Sequence, residues 1–287
     1  MLVCTNILLN HWVAVLTCLK IKPITETRTP RHTLDDEDSN AKPNPIPEVR
    51  ISLNDTGATY DYVLIAPQTI SLIQDQLPNK LNVGTITVDY PNLIKELSKE
   101  EQNDYDEDEQ LYVALENEAL KNRFEKEEIS VYLSNGVLSI VVPHFANTIT
   151  YNVLARQLVQ QLKPLKSWIL LAPSNLNNNQ SINKLLLDTG TAFSVLSQVP
   201  VLRPPHSITG ITAAVVSQLN LIGATNVITL VLNSEGHLGY EKSDNDSIVH
   251  TAYVLGDIIP IDKEQYVKNL SARVRKFNGY SNLGIYI

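Results

Sequence analysis

The sequence predicts an α/β sandwich with a largely parallel central sheet flanked by helices, and three observations carry that prediction. First, "GVLSIVVP" (136–143), "SWILLAP" (167–173) and "NVITLVL" (226–232) are short, continuous apolar runs, the pattern of strands covered on both faces. Second, amphipathic helical repeats fall between and after these runs, the alternation that builds a parallel sheet. Third, glycine is only 11 of 287 residues, roughly half its usual frequency of about 7%, which disfavours turn-rich all-β folds.

Residues 1–59 read as an N-terminal segment outside the fold. The opening "MLVCTNILLNHWVAVLTCLK" has no charge before Lys20, no basic leader, and an apolar stretch broken by Asn6, Asn10 and His11. It reads as a loosely attached end rather than a targeting signal or anchor. Residues 23–50, rich in Pro, Thr, Asp and Asn, read as a disordered linker. A single domain is expected over 60–277. Strands are expected at "YDYVLIA" (60–66) and "VGTITVDY" (83–90), then a short helix at "LIKEL" (93–97) and a solvated acidic loop at 100–109. "LYVAL" (111–115) and "EISVYL" (128–133) also have strand composition.

Asn147 is placed to cap a helix whose apolar stripe is Ile149, Val153, Leu154, Leu158 and Leu162. The run at 167–173 is followed by a polar loop, "SNLNNNQSINK" (174–184). Ile208, Ile211, Val215 and Leu219 then repeat at helical spacing, with Ser207 as the expected cap. After the run at 226–232 a helix is expected near 247–258. In the last helix Asp262 caps, Gln265 is positioned to return the capping bond, and Tyr266, Val267, Leu270 and Val274 form the stripe. Arg273, Arg275 and Lys276 fall in its final turn, where the dipole favours cations. Residues 278–287 read as a flexible tail, loosened by Gly279 and Gly284.

Composition excludes several functions. The net charge is -8, and the run 100–109 holds seven acids and no base. Without that run the chain is near neutral, so it has no basic face for nucleic acid. Cys4 and Cys18 are the only cysteines, leaving no disulfide framework and no cysteine metal site beyond residue 18, as suits a reducing compartment. The six histidines are scattered without metal spacing. No P-loop, GxGxxG or GxSxG motif is present. No cofactor and no membrane attachment is expected.

Two enzymatic alternatives remain. Asp188-Thr189-Gly190, preceded by three leucines, looks like an aspartic-protease signature, which needs a second aspartate so that one carboxylate activates water while the other is protonated. The second candidate is Asp55 in "LNDTGAT". Against this reading, Asn54 replaces an apolar flank, and the stretch 207–220 that would have to form a flap hairpin has helical spacing. An Asp-Thr-Gly triplet is also ordinary turn chemistry. The other alternative is an α/β enzyme using "NSEGHLGYE" (233–241), with Glu235 and His237 at the carboxyl end of a buried strand; the plainer reading is a polar turn with two glycines.

Three blocks of the last third, "SITGITAAVVSQLN", "LVLNSEGHLGYEKSDNDSIV" and the ending "LGIYI", in this order resemble the fungal form of the proteasome assembly chaperone 1 family. The resemblance is specific from Ser207 to Ile287; residues 174–200 depart from it. It implies a non-enzymatic chaperone, cytoplasmic with the nucleus as a second compartment. The implied partners are proteasome assembly chaperone 2, in a heterodimer, and the α subunits of the 20S proteasome. The site residues implied are the terminal hydrophobic-Tyr-X tripeptide, Ile285, Tyr286 and Ile287, inserted into a pocket of the α-ring. The tripeptide alone is a weak signal, since composition produces such an ending in roughly one chain in fifty. Its chemistry is more telling: a terminal carboxylate is a unique handle for a pocket, and an apolar side chain beside it adds ~1.5–3 kcal/mol if fully buried.

Overall fold

The computed structural model describes residues 45–54, 59–100, 107–185, 193–237 and 239–281. Among these, nine strands form one sheet. At its centre β5 (Val137–Val142), β2 (Tyr62–Pro67), β6 (Ser167–Ser174) and β8 (Val227–Glu235) run parallel, in that order. Antiparallel strands extend both sides. β4 (Glu127–Ser134), β3 (Leu81–Asp89) and β1 (Glu48–Leu53) continue from β5, and β7 (Ile182–Leu185) and the two-residue β9 (Lys242–Ser243) pair with β8.

The three apolar runs lie in the parallel centre because only there is the sheet covered twice. Alternation along β2 sends Val63 and Ile65 to one core and Tyr62, Leu64 and Ala66 to the other. The first core is closed by α4 (Thr148–Gln161), through Leu154, Ala155 and Leu158, and by α5 (Gly210–Leu221), through Ile211, Val215 and Leu219. The second is closed by α6 (Asn245–Ile258) and α7 (Lys263–Ser281), through Leu255, Ile258, Tyr266, Leu270 and Val274. Ile70 and Ile73 join that core from the short turn Gln68–Ile70 and from α1 (Leu72–Asp75). The antiparallel extension is covered on one face only. Val49, Ile86, Val88, Ile129 and Val131 join the first core, while Arg50, Ser52 and Glu128 stand exposed.

Polar groups bolt the layers together. Gln74, 1% exposed, donates Nε2 to the carbonyls of Leu64 and Ile140 and accepts from Ser139 Oγ at 2.9 Å. Tyr266 Oη donates to Ile73 O at 2.8 Å, tying α7 to α1; burial pushes this hydroxyl well above its ordinary pKa, so it stays a neutral donor. Asn147 caps α4 as expected, its Oδ1 accepting from Ile149 N at 3.0 Å, while its Nδ2 donates to Pro45 O at 2.7 Å. Because one side chain serves both the cap and the entry to β1, Asn147→Ala is expected to lower unfolding free energy in urea by about 1–2 kcal/mol. Asn147→Asp, which keeps the acceptor and loses the donor, should recover part of that.

Several expectations are corrected. Folded structure begins before residue 60: β1 lies inside the N-terminal segment 1–59, with Glu48–Arg50 in the stretch read as linker, and pairs with β3 from Glu48↔Asp89 to Leu53↔Gly84. Its alternation of Val49, Ile51 and Leu53 with polar residues is hidden by the proline-rich composition upstream. "LYVAL" is helical, within α3 (Glu107–Arg123), and Leu111, Tyr112 and Leu115 are exposed. No Gly or Pro interrupts residues 92–135, and helix formers follow immediately, so the local β preference loses. The acidic stretch 100–109 is therefore not wholly a loop: Glu100 ends α2 (Pro91–Glu100), and Glu107, Asp108 and Glu109 open α3, where the dipole favours acids. β7 occupies the end of the supposed polar loop. Thr209, not Ser207, is the N-cap of α5, without a side-chain bond. Asp262 does cap α7, but Gln265 Nε2 turns to Asn269 Oδ1 instead of closing a box. Finally, α7 continues through Asn278–Ser281, so the first four residues read as tail are helical.

Candidate functional site

The four parallel strands end at one edge of the sheet, where open α/β folds place ligands. The loops there enclose a crevice of about 270 Å³. Pro67, Pro143 and Pro173, at or beside the ends of β2, β5 and β6, form apolar walls with Ile211 of α5. Gln68, Thr69, His144, Tyr151, Tyr240 and Glu241 contribute its polar surface.

The polar groups are held by local bonding. Tyr151 of α4 accepts from the Phe145 N–H at 2.9 Å, and its Oη lies 3.2 Å from His144 Nδ1. Burial raises the Tyr151 hydroxyl above its ordinary pKa, the Phe145 N–H opposes that shift, and the charge of Glu241 adds to it. The hydroxyl is therefore a neutral hydrogen-bonding group. The Tyr240 ring packs 5.8 Å from the His144 ring and is 78% exposed, at the crevice mouth. Gly239 N–H donates to Glu241 Oε2 at 2.9 Å.

The two glycines of "SEGHLGYE" have separate reasons. Gly236 turns with φ +114. Gly239, at φ +84, lies so close to His144 that a Cβ there would stand 2.2 Å from Nδ1. Only glycine lets the loop close onto the imidazole.

The loop at 233–241 thus reaches the crevice, but through Gly239, Tyr240 and Glu241. Glu235 pairs with Lys242 at the end of β8, and neither Glu235 nor His237 lines the crevice. His144 and Tyr151 do line it; they carry no motif, and arrive from a strand end and a helix about 90 residues earlier in the chain. The lining holds Thr69, Thr209, His144, Tyr151 and Glu241, and no serine, cysteine or lysine among the described residues. Among the described residues no group of three or more His, Cys, Asp or Glu is arranged to hold a metal, and no helix is long and apolar enough to cross a membrane. Asp188, Asp55 and the tail residues Ile285, Tyr286 and Ile287 lie outside the described residues. The segment that a protease flap would need is the helix α5.

α7 also borders this edge. Val274 of α7 lines a second cavity, of about 230 Å³, with Leu72, Lys242, Ser243 and Ile248. Gln68 and Thr69 belong to the walls of both cavities. The C-terminal half of α7 therefore arrives at the same edge as the crevice.

Among solved structures the chain is similar to PbaA of Pyrococcus furiosus, an archaeal homolog of proteasome-assembly chaperone, with 13% identity over 82% of this chain and 92% of that one, at a TM-score of 0.48. It is similar to a protein of unknown function from Corynebacterium glutamicum ATCC 13032, with 10% identity over 84% and 91% of the two chains and a TM-score of 0.44. A protein of unknown function from Thermoplasma acidophilum matches with 11% identity over 78% and 89%, at a TM-score of 0.41. No curated protein matches. The family model described as POC1 chaperone matches residues 19–287, spanning every strand and helix above, and the chain belongs to the POC1 chaperone family.

Proposed function

We propose that this chain is a non-enzymatic chaperone of 20S proteasome assembly. It works as a heterodimer with a second, related chaperone and docks Ile285, Tyr286 and Ile287 into a pocket of the α-ring. The observation that carries this reading is the family match over residues 19–287, together with a chain that ends in a hydrophobic-Tyr-X tripeptide.

The physics of the ending supports it. α7 makes its last described core contact at Val274 and continues to Ser281, with six residues after it. Tyr286 offers a large ring at low entropy cost and a hydroxyl, and the Ile287 carboxylate offers a handle that no internal residue has.

Exposed apolar surface supports a partner. Leu165, Leu221 and Ile222 are 67%, 78% and 62% exposed. Ile222 lines a groove of about 330 Å³ with Leu162, Pro164 and Trp168. Solvent-facing apolar residues gathered around such a groove suit a protein contact better than water.

The test is geometric. One alanine added after Ile287 moves the carboxylate by about 3.5 Å without deleting any side chain. It is expected to abolish most α-ring capture in a pull-down while melting temperature and heterodimer formation stay unchanged. Tyr286→Ala should be nearly as damaging and Ile287→Ala milder. Normal capture by the extended chain would refute the pocket.

A further inference from the structure

We propose that the carboxyl-edge crevice is a binding site for an apolar-Tyr-apolar peptide, and that its occupant in the free protein is the chain's own Ile285-Tyr286-Ile287. Three observations lead there.

The first is chemical fit. Proline and isoleucine walls with a few convergent polar groups accept an aromatic side chain that ends in a hydroxyl. Thr69 stands in the wall, and its Oγ1 is withdrawn from solvent with no hydrogen-bond partner among the described residues. At the mouth, Tyr240 is 78% exposed over His144, where an incoming apolar side chain gains a ring to cover.

The second is continuity. The cavity beside Val274 and the crevice share Gln68 and Thr69 in their walls, so the crevice adjoins the cavity that α7 lines. The third is reach. The last part of α7, from Arg275 to Ser281, is about 10 Å of helix. The six residues after it extend up to about 20 Å, enough to return over that length of helix to the cavity beside Val274.

The charge pattern says which part of the peptide enters. Glu241 lines the crevice, so the Ile287 carboxylate stays outside in water and the side chains enter. Docking into the α-ring, as proposed above, anchors the carboxylate instead. The two uses of the tail exclude one another, so the crevice would hold the tail reversibly until a ring pocket captures it. That consequence rests on the proposed function; binding to the crevice does not.

The test uses the full-length chain and a full-length variant carrying Ile285→Ala, Tyr286→Ala and Ile287→Ala. The probe is a fluorescent peptide of residues 281–287. The alanine variant is expected to bind the peptide saturably, and the wild-type chain at least ~10-fold more weakly, because its own tail competes at high effective concentration. Amidating the peptide should leave affinity unchanged here, although it should abolish any carboxylate-dependent ring docking. Tyr240→Ala or Thr69→Val in the variant background, with melting as the folding control, should each weaken the peptide by ~5-fold or more. No saturable binding, equal affinity for both chains, or binding indifferent to both substitutions would overturn the proposal. α-ring capture, measured separately, would still report on the proposed function.

Discussion

Deleting Ile285, Tyr286 and Ile287 is expected to lower capture of α-ring intermediates by ~10²-fold or more, with the melting temperature unchanged. The two halves of this result have separate causes. Among the described residues both cores are built from positions no later than Val274, so the deletion removes no described core position. A tripeptide with one anchored carboxylate is a weak ligand alone. It gains strength when a partner carries a second tail, because linking two tails raises avidity by ~10²–10⁴-fold if both pockets are reached at once. Losing one tail forfeits much of that factor, while wider contacts keep some residual binding. If the deletion lowered the melting temperature by several degrees, the tail would be part of the fold and the loss of capture would mean nothing about a pocket.

Gly239→Val should be the most damaging single change at the carboxyl edge, costing about 3–5 kcal/mol in urea unfolding. Two costs add. The backbone sits at φ +84, which a β-branched residue resists. The new Cβ would also stand 2.2 Å from His144 Nδ1 and 2.6 Å from Cε1. His144 has little room to retreat, between Tyr151 at 3.2 Å and the Tyr240 ring. Gly223→Ala is the control. Gly223 is at φ +67 with nothing within 4 Å of its would-be Cβ, so only conformational strain of about 1 kcal/mol applies. If the two substitutions cost the same, the close approach to His144 is not what requires glycine at 239.

What could be read in advance follows from how each element is covered. β5, β6 and β8 are buried on both faces, so each stands out as an apolar run. Asn147 and Asp262 cap as their positions imply, because a cap depends only on residues two or three away. β1 and β7 are edge strands, short and half polar, and their neighbours in sequence are polar or proline-rich. The alternation in β1 is short and obscured by its neighbours, β7 has none, and pairing to β3 and β8 makes them strands. α3 is misread because Tyr112 and Val113 favour strands locally, and its apolar residues do not gather on one face. The site follows the same logic. "SEGHLGYE" is a contiguous motif, visible as a unit. His144 and Tyr151 become part of it only through the order of strands in the sheet, which places the end of β5 two strands from the start of the β6–α5 connection.

The central claim is that this chain serves the assembly of the proteasome α-ring. Quantitative mass spectrometry of the proteins that co-purify with the tagged full-length chain tests it most directly. The account predicts a second, related chaperone in near-equal amount together with 20S α subunits, and loss of the α subunits but not the second chaperone when Ile285, Tyr286 and Ile287 are deleted. A chain recovered without any α subunit, under conditions that preserve assembly intermediates, would contradict it.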